Sequence, residues 1–242
     1  IRDSFSAEQI QQIANTWLQT LLKLVTHPQQ ALGVDYQSIQ PAMPFNSGDV
    51  TPIVPAILGQ AKQTPNNIAI QVNDETISYA ELVDWSLAIA DELAVLDLKP
   101  GSVVALCLPR GALMIAAQLA VLMRDAVLLP LEPDTPDARL RFMLDDAEAH
   151  LVMTTDAWSE SFAGRTTLSL PPGSAWAQQK GHSASHTAER LARHSHAERS
   201  NDKAPAYLIY TSGSTGIPKA VIVSHGAWAA QVAAMAELYG LN

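Results

Sequence analysis

The chain has 242 residues and a formal net charge of -9, long enough for one large domain or two modest ones with a sizeable core. Its 15 basic residues form no dense patch, which argues against a nucleic-acid surface, and no apolar run approaches the roughly 18–20 residues of a membrane span. The single cysteine, Cys107, rules out a disulfide framework and a thiolate metal site within the chain, so a soluble protein in a reducing, cytoplasmic setting is expected. Cys107 lies in the apolar run VVALCL and reads as a small buried hydrophobe rather than a nucleophile.

From Ser6 the sequence predicts a helix, with Ser6 and Gln9 spaced as a capping box and Ile10, Ile13, Ala14, Trp17, Leu21, Leu24 and Val25 on one face. Five prolines and two glycines between Pro28 and Pro55 mark a linker and a boundary. A helix-like piece follows near Val54 to Gln63, then a hairpin turning at Asn73 and Asp74. Ser78 and Glu81 form a second capping box, opening a helix with Leu82, Trp85, Ile89, Leu93 and Leu96 on its apolar face and KPG at Lys99–Gly101 closing it. Strands are then predicted at Val103–Leu108, Val127–Leu131 and Leu151–Thr154, alternating with helices at Ala112–Arg124 and Pro136–Ala147. This alternation means an α/β fold with a parallel sheet covered on both faces. Between Thr155 and Pro205 the pattern dissolves into a surface excursion with one helical piece around Thr187 to Arg193. Four of the seven histidines lie there, His182, His186, His194 and His196, but without a carboxylate or cysteine to complete a set they read as a solvated linker, not a metal site.

A strand at Tyr207–Tyr210 leads into TSGSTGIPK, and a second strand, AVIVS, returns from it. Thr211, Ser212, Ser214 and Thr215 bring hydroxyl donors, Gly213 and Gly216 let backbone N–H groups converge, and Lys219 adds a positive charge. Such a donor-rich concavity suits an oxyanion, above all the β- and γ-phosphates of a nucleotide. A plain turn needs only about two to five residues and no such chemistry. A P-loop is excluded, because Ile217 and Pro218 separate Gly216 from Lys219 and Ala220 stands where the magnesium-binding hydroxyl would be. Ser224 is expected to cap a final helix over Gly226–Gly240 that reads as packing, with His225 in its first turn and held by backbone or solvent rather than catalytic.

YTSGSTGIPKAVIVSH resembles the phosphate-binding signature of the adenylate-forming enzymes. ISYAELVDWSLAIADEL and VLMRDAVLLPLEPDTPDARLRFMLDDAEAHLVMTT are similar to core segments of that superfamily, closest to the adenylation domains of nonribosomal peptide synthetases. The resemblance runs from Thr51 to the C-terminus without the His-rich stretch. It implies the N-terminal portion of a layered parallel-sheet sandwich over 51–242, a linker over 28–50, and in 1–27 the closing helix of a condensation-like domain. The implied reaction joins an amino-acid carboxylate to the α-phosphate of ATP and passes the acyl group to a carrier protein's phosphopantetheine thiol. Thr211, Ser212, Gly213, Ser214, Thr215, Gly216 and Lys219 would hold the nucleotide with Mg2+. Condensation and carrier domains, and a small accessory protein, are the implied partners. An acyl- or aryl-acid ligase and a noncatalytic scaffold are the alternatives.

Three departures from the family pattern stand out. Ala220 replaces a usual Gly and would crowd the loop if its φ were positive, Arg124 and Asp125 replace a usual Ala-Gly pair, and Glu132 replaces a usual Asp. In the family the amino-acid pocket, the ribose-binding aspartate and the C-terminal lysine domain follow this loop. Starting at Ile1 and ending at Asn242, the chain is expected to be part of a longer polypeptide. No catalytic set is complete within it, and by itself it should form no adenylate.

Overall fold

Residues 50–72, 75–171, 191, 201–211 and 218–239 are described by the structure, a computed structural model, and all belong to the unit Ser47–Asn242. The expectations for residues 1–49, the Asn73–Asp74 turn and the four clustered histidines lie outside the described residues. Of the expected helical piece around Thr187 to Arg193, Leu191 is described; it is helical and half-buried against the larger core cluster.

Helix α1 (Ile53–Gln63) buries Val54 and Leu58, and the antiparallel pair β1 (Ile68–Val72) and β2 (Glu75–Ser78) follows it. Helix α2 (Tyr79–Val95) starts where its sequence says it should. Ser78 Oγ accepts from the Glu81 N–H at 3.3 Å and Glu81 Oε2 accepts from the Ser78 N–H at 2.8 Å, which satisfies two of the helix's free donors reciprocally. Its end differs from expectation: Asp97 adopts a left-handed φ of 52° just past the helix, so the chain has already turned before Lys99–Gly101. Burial also extends beyond one face, taking in Val83, Asp84, Ser86, Leu87, Ala88 and Ala90.

The alternating region forms β3 (Val103–Leu106), α3 (Ala112–Met123), β4 (Val127–Pro130), α4 (Asp137–Asp146) and β5 (Leu151–Thr154). A short 3-10 helix at Asp156–Phe162 leads to β6 (Thr167–Ser169), and β7 (Pro205–Thr211), β8 (Lys219–Ser224) and α5 (His225–Tyr239) complete the described elements. The six strands lie in the order β6-β5-β3-β4-β7-β8, parallel except for β8, which runs antiparallel to β7 at the edge. One correction follows. Residues 155–171, expected to be part of a patternless excursion, are ordered around β6, which pairs with β5, and Phe162 and Leu170 are buried. A further feature is that the antiparallel edge strand β8 leaves Lys219 to Ile222 exposed, while the parallel strands β3, β4 and β5 are covered on both faces as expected.

Strand side chains alternate between faces. Val104, Leu106 and Leu128 point into a large cluster with α2 and α3, while Ala105, Cys107, Val127 and Leu129 join Leu140, Met143 and Leu144 of α4 on the other side. The central strands are therefore apolar on both faces, which is why they read as continuous hydrophobic runs. The parallel strands end together, so the segments after Leu106, Pro130, Thr154 and Thr211 share one edge, where open α/β sheets commonly bind ligands.

Candidate nucleotide-phosphate site

The loop expected to hold phosphate leaves the sheet at that carboxyl edge. Its two ends are fixed by the β7–β8 ladder, which pairs Ile209 with Val221, Tyr210 with Ala220 and finally Thr211 with Lys219. Thr211 Oγ1 also donates to the Lys219 carbonyl at 3.3 Å, closing the hairpin root with a side chain. Thr211 and Lys219 are thereby brought together, and both are exposed. Ser212, Gly213, Ser214, Thr215 and Gly216 lie outside the described residues. Lys219 makes no ion pair with a described residue.

Ala220 does not carry the strain its methyl would cause at a positive φ. It lies in the extended β8, paired with Tyr210, and is absent from the described non-glycine residues with left-handed backbone, which are Asp97, Asp125 and Glu148.

Tyr210, immediately before the loop, is buried against α4. Its ring meets Phe142 edge-on at 6.2 Å, its hydroxyl donates to Asp146 Oδ2 at 2.6 Å, and the Met143 carbonyl lies 3.3 Å away. Burial, then the hydrogen bond to Asp146 and that carboxylate's charge, push the phenol well above its ordinary pKa, so it stays protonated. Neither residue was singled out from the sequence. Asp146 is one of two adjacent acids at a helix end, 64 positions from Tyr210, and such a separation leaves no local signal.

Beside Tyr210 a groove of about 560 Å³ opens between the ends of β4 and β7, lined by Glu132, Asp134, Thr135, Arg139 and Ile209 among others. Glu132, one of the departures from the family pattern, pairs with Arg110 at 3.1 Å across the segments following β3 and β4. Both side chains are largely solvent-exposed, so the pair contributes little to stability. Cys107 is buried, and desolvation, then the charge of Glu132, push its thiol up to about 11. It is therefore an inert packing residue at neutral pH, as its apolar neighbours implied.

At the opposite edge, Ser224 Oγ accepts from the Ala227 N–H at 3.2 Å and caps α5, as expected. His225 is buried in the first turn with its N–H donating to the Ala204 carbonyl, while its Nδ1 has no partner among the described residues. It borders a cavity of about 270 Å³ lined by Gly101, Asp125, Asn201 and Pro205 among others, none of them a residue expected to hold phosphate. No group of three His, Cys, Asp or Glu side chains among the described residues could hold a metal ion, and no described helix is long and apolar enough to cross a membrane.

Residues 58–241 match the family described as AMP-binding enzyme. AMB antimetabolite synthetase AmbB of Pseudomonas aeruginosa is 36% identical over 191 residues, covering 75% of this chain and 14% of that protein. A dimodular nonribosomal peptide synthase of Bacillus subtilis is 34% identical over 186 residues, covering 76% of this chain and 7% of that protein. The crystal structure of VinN superposes with a TM-score of 0.65 at 25% identity, over 80% of this chain and 49% of that one. The chain thus spans a small fraction of the curated relatives and about half of the solved chain. With the family matched across the sheet, the loop and the final helix, the chain belongs to the AMP-binding enzymes, the adenylate-forming superfamily that its hairpin loop resembles.

Proposed function

We propose that this chain is the nucleotide-phosphate-binding portion of an adenylation domain in a nonribosomal peptide synthetase, preceded by the end of a condensation domain (1–27) and a linker (28–50). The observation that carries the reading is the hairpin root. A donor-rich loop leaves the carboxyl edge of a parallel sheet with Thr211 and Lys219 held side by side, inside the segment that matches the AMP-binding family. The names of the curated relatives, synthetases of peptides and antimetabolites, favour an amino acid as the acid activated.

In this reading a carboxylate oxygen of the amino acid attacks the α-phosphorus of ATP. The bond from that phosphorus to the bridging oxygen breaks, and pyrophosphate leaves with the negative charge. Lys219 and the hydroxyl and backbone donors between Thr211 and Gly216 stabilise that charge as it develops, and preorganised donors are the largest single contribution such a site can make. A carrier domain's phosphopantetheine thiol then takes the acyl group and releases AMP. The donor set fits phosphate. Mg2+ would arrive with the nucleotide and neutralise part of its charge. A small accessory protein docking on the domain would belong to the same assembly.

Amino-acid-dependent exchange of pyrophosphate into ATP by the full-length protein, measured across a panel of amino, fatty and aryl acids, tests the proposal. Exchange with one or a few amino acids is expected. Exchange with fatty or aryl acids alone would move the protein to another branch of the family, and absence of exchange with every acid would favour a noncatalytic scaffold. The 242 residues by themselves are expected to give no exchange.

A further inference from the structure

We propose that Tyr210 and Asp146 form a positioning pair that fixes the root of the nucleotide loop, so that Thr211 and the residues after it meet the phosphates in one arrangement. This rests on the nucleotide reading of the loop. Strand β7 is registered to β4 at Leu128↔Tyr207, near its start, and its far end, where the loop begins, lies beyond that pairing. Its far end is tied to β8 by the hairpin ladder and to α4 by the side chain of Tyr210. The hydroxyl reaches Asp146 Oδ2 at 2.6 Å, and the ring is wedged edge-on against Phe142.

The placement of Asp146 supports a specific purpose. It is the last residue of α4, where the helix carbonyls already present partial negative charge, so a carboxylate is unfavourable there unless a donor offsets it. Tyr210 supplies that donor, and a charge-assisted phenol–carboxylate bond is stronger and more directional than a neutral one. Thr211 follows at once and, with side chains alternating along a strand, points to the opposite face to donate to Lys219. Tyr210 therefore ties the loop root to α4 from one face of the sheet, while Thr211 ties it to the main chain of β8. Looseness at this root would be felt where the donors meet phosphate, not where the acid binds.

The test uses exchange kinetics of the full-length protein with Tyr210→Phe, Asp146→Ala, Asp146→Asn and the Tyr210→Phe/Asp146→Ala double variant, beside Lys219→Ala. Tyr210→Phe keeps the ring against Phe142. It and Asp146→Ala are each expected to raise KM for ATP about five- to tenfold with kcat within about twofold, and the double variant is expected to be no worse than either single one. Asp146→Asn, which keeps an acceptor oxygen, should recover most of the affinity. If Lys219→Ala is impaired while Tyr210→Phe and Asp146→Ala keep the wild-type KM for ATP, or only lower Tm, the pair is structural and the proposal falls. If Lys219→Ala is also unimpaired, the nucleotide reading falls and takes the pair with it. Should Tyr210→Phe fail to fold, the comparison of Asp146→Ala with Asp146→Asn decides, and should Asp146→Ala fail, the KM for ATP of Tyr210→Phe against wild type does.

Discussion

Asp125 and Glu148 hold left-handed backbone, φ 53° and 49°, at the ends of α3 and α4. Each follows the hydrogen-bond pattern of a Schellman motif: Ala126 N–H to the Val121 carbonyl with Asp125 N–H to Leu122, and Ala149 N–H to Leu144 with Glu148 N–H to Asp145. Glycine accepts this conformation without a Cβ penalty, and Asp125 stands where the family pattern has one. Asp125→Gly and Glu148→Gly are each expected to stabilise the fold by about 1 kcal/mol, read as a higher urea midpoint at unchanged slope. His225 gives a pH dependence. Burial lowers its pKa below 6.5, opposed by the charges of Asp125 and then Asp202, so the folded state favours the neutral ring. The unfolded chain then binds the proton more readily, and the associated stability, present above pH 6.5, is lost as pH falls through the depressed folded value. His225→Gln should flatten the decline of Tm with acidification. An unchanged slope would show that other groups cause it.

Among the elements, α2 was the most legible, because Ser78 and Glu81 announce its start and its apolar residues recur at helical spacing. Ser78→Ala is expected to cost about 1 kcal/mol by removing the acceptor for the Glu81 N–H, measured by chemical denaturation. Its end was not legible, since a left-handed Asp97 carries no signature that a glycine would. Strand β6 was missed for a related reason: Thr167–Ser169 is three residues long and polar outside the sheet, and only pairing with β5 makes it a strand. The β7–β8 hairpin was visible as two apolar runs around a Gly/Ser/Thr loop. Its anchor was not, because Tyr210 and Asp146 meet only once α4 has packed on the sheet.

At the scale of the molecule, exposed large apolar side chains gather on the last three described elements: Ile209 on β7, Val221 and Ile222 on β8, and Val232, Met235 and Tyr239 on α5. The final helix packs Trp228 and Ala229 against the body of the fold, as expected, and is open along its other face. An exposed apolar surface on a free edge strand is prone to association. The 242-residue chain is therefore expected to self-associate with rising concentration in sedimentation experiments, and Ile222→Lys should reduce this without changing helix content. A monomer at all concentrations would contradict that expectation.

The central claim is that the loop between Thr211 and Lys219 holds the phosphates of a nucleotide. Equilibrium binding of ATP to the full-length protein, wild type against Lys219→Ala, tests it most directly. The account expects binding weakened about tenfold or more, the loss of a charge-assisted contact to phosphate, with the fold intact by circular dichroism. Equal affinity in the two proteins would contradict it and place the nucleotide elsewhere.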